Sequence, residues 1–121
     1  MADQYHEPAE ELSARTRDLT RVLVSLKEEI EAIDWYDQRI SASNNDELVG
    51  ILQHNKEEEM EHAAMLLEWL RRNMEGWDDA LATYLFKTAP ILELEEQAEA
   101  AEEGEVSPDL GVGSLKSATR E

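Results

Sequence analysis

The chain has 121 residues, with 29 acidic against 11 basic side chains, a formal charge of -18 and no cysteine. That length allows one domain at most, and the acid excess argues against a nucleic-acid partner, since phosphate binding needs a basic patch. Without cysteine there are no disulfides and no thiolate metal sites, so any metal must be held by carboxylate and imidazole, a donor set suited to iron or manganese. No apolar run approaches the ~20 residues of a membrane span, and Met1 to His6 shows no basic-then-apolar signal pattern, so a cytoplasmic location is expected unless the chain is packaged by something else.

Residues 1–7 carry no pattern and are expected to fray. Pro8 suits the first turn of a helix. From there Val22, Leu26, Glu29, Ile33, Tyr36 and Ile40 follow alternating steps of four and three, predicting one helix over about residues 8–42. Glu29 sits inside that apolar stripe, an expensive place for a carboxylate unless it is paired or bound to metal. Residues 41–46 form a turn, with Asn44 and Glu47 spaced as an N-cap and its N3 partner. A second helix, about 45–73, carries the stripe Leu48, Leu52, Asn55, Glu59, His62, Leu66 and Trp69, again in steps of four and three. Asn73 to Gly76 ends it. Trp77, Leu81, Tyr84 and Leu85 mark a shorter helix at about 77–87, and Pro90 starts a piece that can be helical through Leu94. The fold class expected is all-α: an antiparallel two-helix hairpin plus a short C-terminal helix, occupying residues 1–94. A single hairpin cannot cover its own apolar faces, so self-association is expected on burial grounds alone.

Beyond Leu94 the composition turns to Glu, Ala, Gly, Ser and Pro, and residues 95–108 are read as an acidic linker without fold. At its end Leu110, Val112 and Leu115 alternate with Gly111, Gly113 and Ser114, a pattern able to lie extended in a partner's groove; residues 117–121 are plain tail.

The chemistry is concentrated in the two stripes. Glu59 and His62 stand three apart on one helix face, so a carboxylate and an imidazole can converge on one cation. Glu58 and His62, four apart, serve a salt bridge equally well, but only Glu59 shares the regular stripe. Glu29 and Glu59 each lie roughly fifteen residues from the turn, so the antiparallel hairpin brings them into register. Di-iron carboxylate bundles take one Glu from each of two helices and a Glu-x-x-His from each of the other two. This chain holds half of that set. A symmetric dimer would supply the other half, and isologous contacts are the commonest form of self-association. Beside the site, Glu28, Glu31 and Trp35 lie one step around the first helix, read either as a cation approach or as a solvated edge. Tyr36 is either an outer hydrogen-bond donor or core filling.

The segments 28–39 (EEIEAIDWYDQR), 54–65 (HNKEEEMEHAAM) and 67–72 (LEWLRR), with 83–86 (TYLF) and 110–115 (LGVGSL), together resemble the encapsulated ferritins. The resemblance covers most of the chain apart from the acidic linker. It implies that dimerisation builds a ferritin-like four-helix bundle and that Glu29, Glu59 and His62 from two subunits hold two Fe ions per dimer, with Glu59 bridging. It implies that Glu28 and Glu31, beside Trp35, form an outer metal-attracting site. It further implies a ferroxidase that oxidises Fe2+ with O2, a homodimer assembling into a ring of five dimers, and a terminal peptide, residues 109–116, that docks inside an encapsulin shell where the iron is stored. Val112 stands where the family often has isoleucine. Two other functions can use the same residues: a di-iron oxidase or peroxidase unconnected with storage, and a non-enzymatic helical adaptor that dimerises through the same stripes.

Overall fold

The computed structural model describes residues 5–105. Among them there is no strand, and the order is a 3-10 turn, Ala9–Glu11, followed by four α-helices: α1, Ala14–Ala42; α2, Asp46–Asn73; α3, Trp77–Tyr84; and α4, Ile91–Glu105. None of these helices is long and apolar enough to cross a membrane. The described residues divide into two compact units, the boundary falling between Met74 and Glu75.

The first unit is the antiparallel hairpin of α1 and α2, 29 and 28 residues long. Both helices start differently from the sequence expectation. Pro8 caps only the 3-10 turn, and α1 begins after a break at Leu12 and Ser13, because the Ser13 hydroxyl accepts the Thr16 N–H at 3.0 Å and supplies a side-chain N-cap. At the second start the cap is Asn45 rather than Asn44: its side-chain oxygen accepts the Leu48 N–H at 2.9 Å. The Asn45 N–H in turn donates to the Ser43 hydroxyl at 3.2 Å, which fixes the tight connection. Replacing Asn45 by alanine leaves one N-terminal donor of α2 unpaired, and thermal melts should show a loss of about 1 kcal/mol, whereas Asn44→Ala should be near neutral.

The two helices are tied at both ends. Near the turn, Lys56 Nζ lies 3.2 Å from Asp37 Oδ1, its stem largely buried between the helices; at the open end the Arg15 guanidinium donates to the Asn73 carbonyl. The last turn of α2 carries its own clamp. Glu68 receives Arg71 at 2.7 and 2.8 Å and Arg72 at 2.6 Å, and these two guanidinium groups, Arg71 first, hold its carboxyl down to about 2. The clamp is therefore intact above the ordinary carboxylate range and is lost only as pH falls through about 2.

Burial is uneven. Among the described residues of this unit, Leu70 near the end of α2 is fully buried and Leu19 near the start of α1 is buried, so its dry core sits at the open end of the hairpin. Val22, Leu26, Ile33, Tyr36 and Ile40 are half-buried, as are Leu52 and Leu66. Leu23, Ile30, Leu48, Ile51, Met60, Met65 and Trp69 remain exposed. A hairpin that leaves this much apolar surface wet has not finished burying it.

In the second unit, Gly76 enters α3 at φ 100°, a left-handed conformation that favours glycine. The helix stops at Tyr84, earlier than expected, and Phe86 follows at φ 60° with its ring fully exposed. The larger correction concerns α4. Residues 95–105, expected to be unfolded linker, continue the helix begun at Ile91. Their run of Glu, Ala and Gln is acidic enough to read as disorder, but these are also strong helix formers, and Leu94 is buried in the first turn. Residues 106–108, the candidate docking segment 109–116 and the end 117–121 lie outside the described residues.

Candidate metal centre

Two long helices, capped at Ser13 and Asn45 and pinned by Lys56–Asp37 and Arg15–Asn73, fix the register that brings residue 29 opposite residues 59 and 62. Glu29 Oε2 lies 3.7 Å from His62 Nδ1, and Glu59 Oε2 lies 3.6 Å from the same nitrogen. One donor atom from each of the three residues falls within 4.8 Å of the others, and among the described residues this is the group of that kind. The side chains are partly withdrawn from water, with 24% exposure at Glu29, 23% at Glu59 and 44% at His62.

The spacing is informative. At 3.6–3.7 Å the imidazole makes no hydrogen bond to either carboxylate. Two donors that each sit about 2.1 Å from an ion are at most about 4.2 Å apart, so both His62 contacts are short enough for donors that would share a cation. Two carboxylate oxygens and one imidazole nitrogen are a hard-to-borderline set, appropriate to ferrous iron. One chain supplies three donor residues, short of the positions iron fills, and the side still half-open to solvent leaves room for more.

The other predicted residues are placed less centrally. Glu28 and Glu31 are exposed, and Trp35 stands 52% exposed beside them on the outer face of α1. Tyr36 is half-buried with the Arg39 guanidinium carbon 5.3 Å from its ring centroid, a cation–π contact. His54 is exposed but not idle: its Nε2 lies 3.5 Å from Glu58 Oε1. Glu58 Oε2 lies 3.9 Å from His62 Nε2. Spacing sets Glu58 and Glu59 as rivals for His62, yet an imidazole has two nitrogens and each carboxylate faces a different one.

An antiparallel helix pair that presents two carboxylates and an imidazole to one point defines a helical half-bundle with the donor chemistry of a metal site. Comparison with known proteins is more specific: the chain belongs to the EncFtn-like family, whose family model matches residues 4–88. It is 57% identical over 115 residues to a protein of Thermotoga maritima called a ferritin-like protein, covering 95% of this chain and all of the relative. It is 49% identical over 122 aligned positions to the encapsulated ferritin-like protein of Rhodospirillum rubrum, covering 92% of this chain and 86% of the other. A shorter match, 37% over 51 residues, covering 42% of this chain and 39% of the relative, reaches an encapsulin nanocompartment cargo protein of Myxococcus xanthus. Among solved structures, a Nitrosomonas europaea protein superposes with a TM-score of 0.71 at 54% identity, over 74% of this chain and 99% of that one.

Proposed function

We propose that the protein is a ferroxidase: it oxidises Fe2+ to Fe3+ with O2 at a site that two copies of the chain complete together, and it delivers the product for storage inside an encapsulin shell. The observation that carries this reading is the convergence of one donor atom each from Glu29, Glu59 and His62 within 4.8 Å, with both carboxylates beside His62 Nδ1. Two bound Fe2+ ions supply the two electrons that O2 takes up. The residues do the rest: Glu29 and Glu59 coordinate as carboxylates, and His62 coordinates as neutral imidazole through Nδ1, so acid that protonates any of the three works against loading. The half-exposed apolar faces of α1 and α2 support assembly by a second copy, which doubles the donor set to that of a four-helix di-iron bundle and carries on toward a ring of dimers. Glu28, Glu31 and Trp35 form the outer approach, where exposed carboxylates gather cations before they reach the half-buried site.

Anaerobic addition of Fe2+ followed by air, with diferric absorbance recorded against metal per dimer, tests this directly. Saturation at two Fe per dimer is expected; no rapid absorbance, or saturation unrelated to dimer, favours the adaptor reading.

The address rests on residues 109–116, supported by the names of the relatives from Rhodospirillum rubrum and Myxococcus xanthus. Deleting everything after Gly104 should leave oligomeric state and oxidation rate unchanged and abolish co-purification with a co-expressed shell. Fused to an unrelated soluble protein, the same peptide should draw that protein into the shell; a fusion left outside would assign docking to the folded part.

A further inference from the structure

We propose that Glu58 is a positioning residue for His62: it biases the imidazole toward the tautomer whose proton sits on Nε2, leaving Nδ1 bare for metal. The inference rests on the site reading above but concerns the apoprotein. A neutral imidazole carries one N–H, and the nitrogen that binds metal must be the other one. In this chain Nδ1 is the nitrogen between Glu29 and Glu59, at 3.7 and 3.6 Å. Before metal arrives, those two carboxylates draw the ring proton toward Nδ1, the tautomer that cannot ligate. A carboxylate beside Nε2 pulls the other way.

Glu58 is placed to do it. Its Oε2 is 3.9 Å from His62 Nε2, on the side of the ring away from the metal-facing nitrogen. A small rotation about the terminal carboxylate torsion, which is broad and soft, brings this to hydrogen-bond range, and bonds around catalytic groups are commonly long before the ligand binds. The second oxygen of Glu58 is engaged by His54 Nε2 at 3.5 Å. Residues 54, 58 and 62 are one turn apart along α2, so the three side chains share one face. A carboxylate on the far nitrogen of a metal-binding histidine fixes tautomer and ring orientation, and its loss typically costs 10–100-fold in metal affinity.

Magic-angle-spinning NMR of [15N]histidine-labelled apoprotein, at a pH well above the ordinary imidazole range, reads the tautomer whatever the size of the assembly. With only three histidines, the His62 signals are assigned by their disappearance in His62→Ala. In Glu58→Ala the His62 population should move toward Nδ1–H. Glu58→Gln, which keeps a carbonyl acceptor, should hold it near the wild-type balance. Co2+ titration should then show roughly 10–100-fold weaker binding in Glu58→Ala at unchanged stoichiometry, with Glu58→Gln closer to wild type. An unchanged tautomer balance in Glu58→Ala overturns the proposal, whatever happens to affinity. Wild-type protein that takes up no Co2+ would instead overturn the metal-site reading, and the tautomer result would still be legible.

Discussion

Glu59→Ala and His62→Ala should each reduce rapid Fe2+ oxidation by more than about 100-fold, since loss of an outer-sphere partner alone typically costs 10–100-fold and these are direct donors. Helix content should be unchanged. The reason is local: Glu59 and His62 lie on a largely apolar stripe and make no hydrogen bond to each other or to Glu29, so truncation removes only the long contacts, 3.6–3.9 Å, that His62 makes with Glu29, Glu58 and Glu59. Removing a partly buried charge that metal alone compensates removes a cost from the apoprotein. Circular dichroism should therefore show equal helicity, with a melting temperature equal to or above that of the wild type without metal. Wild-type oxidation rates in either variant would relocate the chemistry.

Metal should also tighten self-association by about 100-fold. A ligand held only by the dimer stabilises it by about 2.7 kcal/mol when present at about 100 times its dissociation constant. Sedimentation velocity across a dilution series, with and without Co2+ or anaerobic Fe2+, measures the shift. Ile30, Ile51 and Met65 are among the apolar residues left wet on the hairpin, and their burial is the expected metal-independent part of the proposed contact. A monomer that oxidises iron at the full rate would show that one chain's Glu29, Glu59 and His62 suffice.

Much of this arrangement is readable from residue order. The alternating steps of four and three through Val22–Ile40 and Leu52–Leu66 identify the faces that the hairpin half-buries, while Leu48 and Trp69 at the ends of the second stripe stay exposed; a side-chain period near 3.5 is imposed by two helices meeting along a seam. The pairing of residue 29 with 59 and 62 comes from equal distances to the turn. The features that residue order does not disclose are finer or more ambiguous. Ser13 as a cap is hidden behind Pro8, a plausible earlier start. Asn44 and Asn45 are adjacent and chemically identical, and only backbone geometry selects between them. Residues 95–105 have a composition that serves disorder and helix alike, and the difference lies in whether neighbouring turns nucleate the run. Glu58 reads as an alternative to Glu59 because spacing counts residues and not ring nitrogens.

The continuation of α4 to Glu105 changes the mechanics of any address carried beyond it. Eleven residues, 95–105, span about 16 Å as helix, against roughly 36–40 Å if drawn out as extended chain. The leash is shorter, and its first part is a strut. A helical first part holds residue 105 at a set distance from residue 95, which a flexible leash would not. Inserting glycine–serine repeats between residues 95 and 105 would trade that fixed standoff for slack, making cargo loading a function of reach.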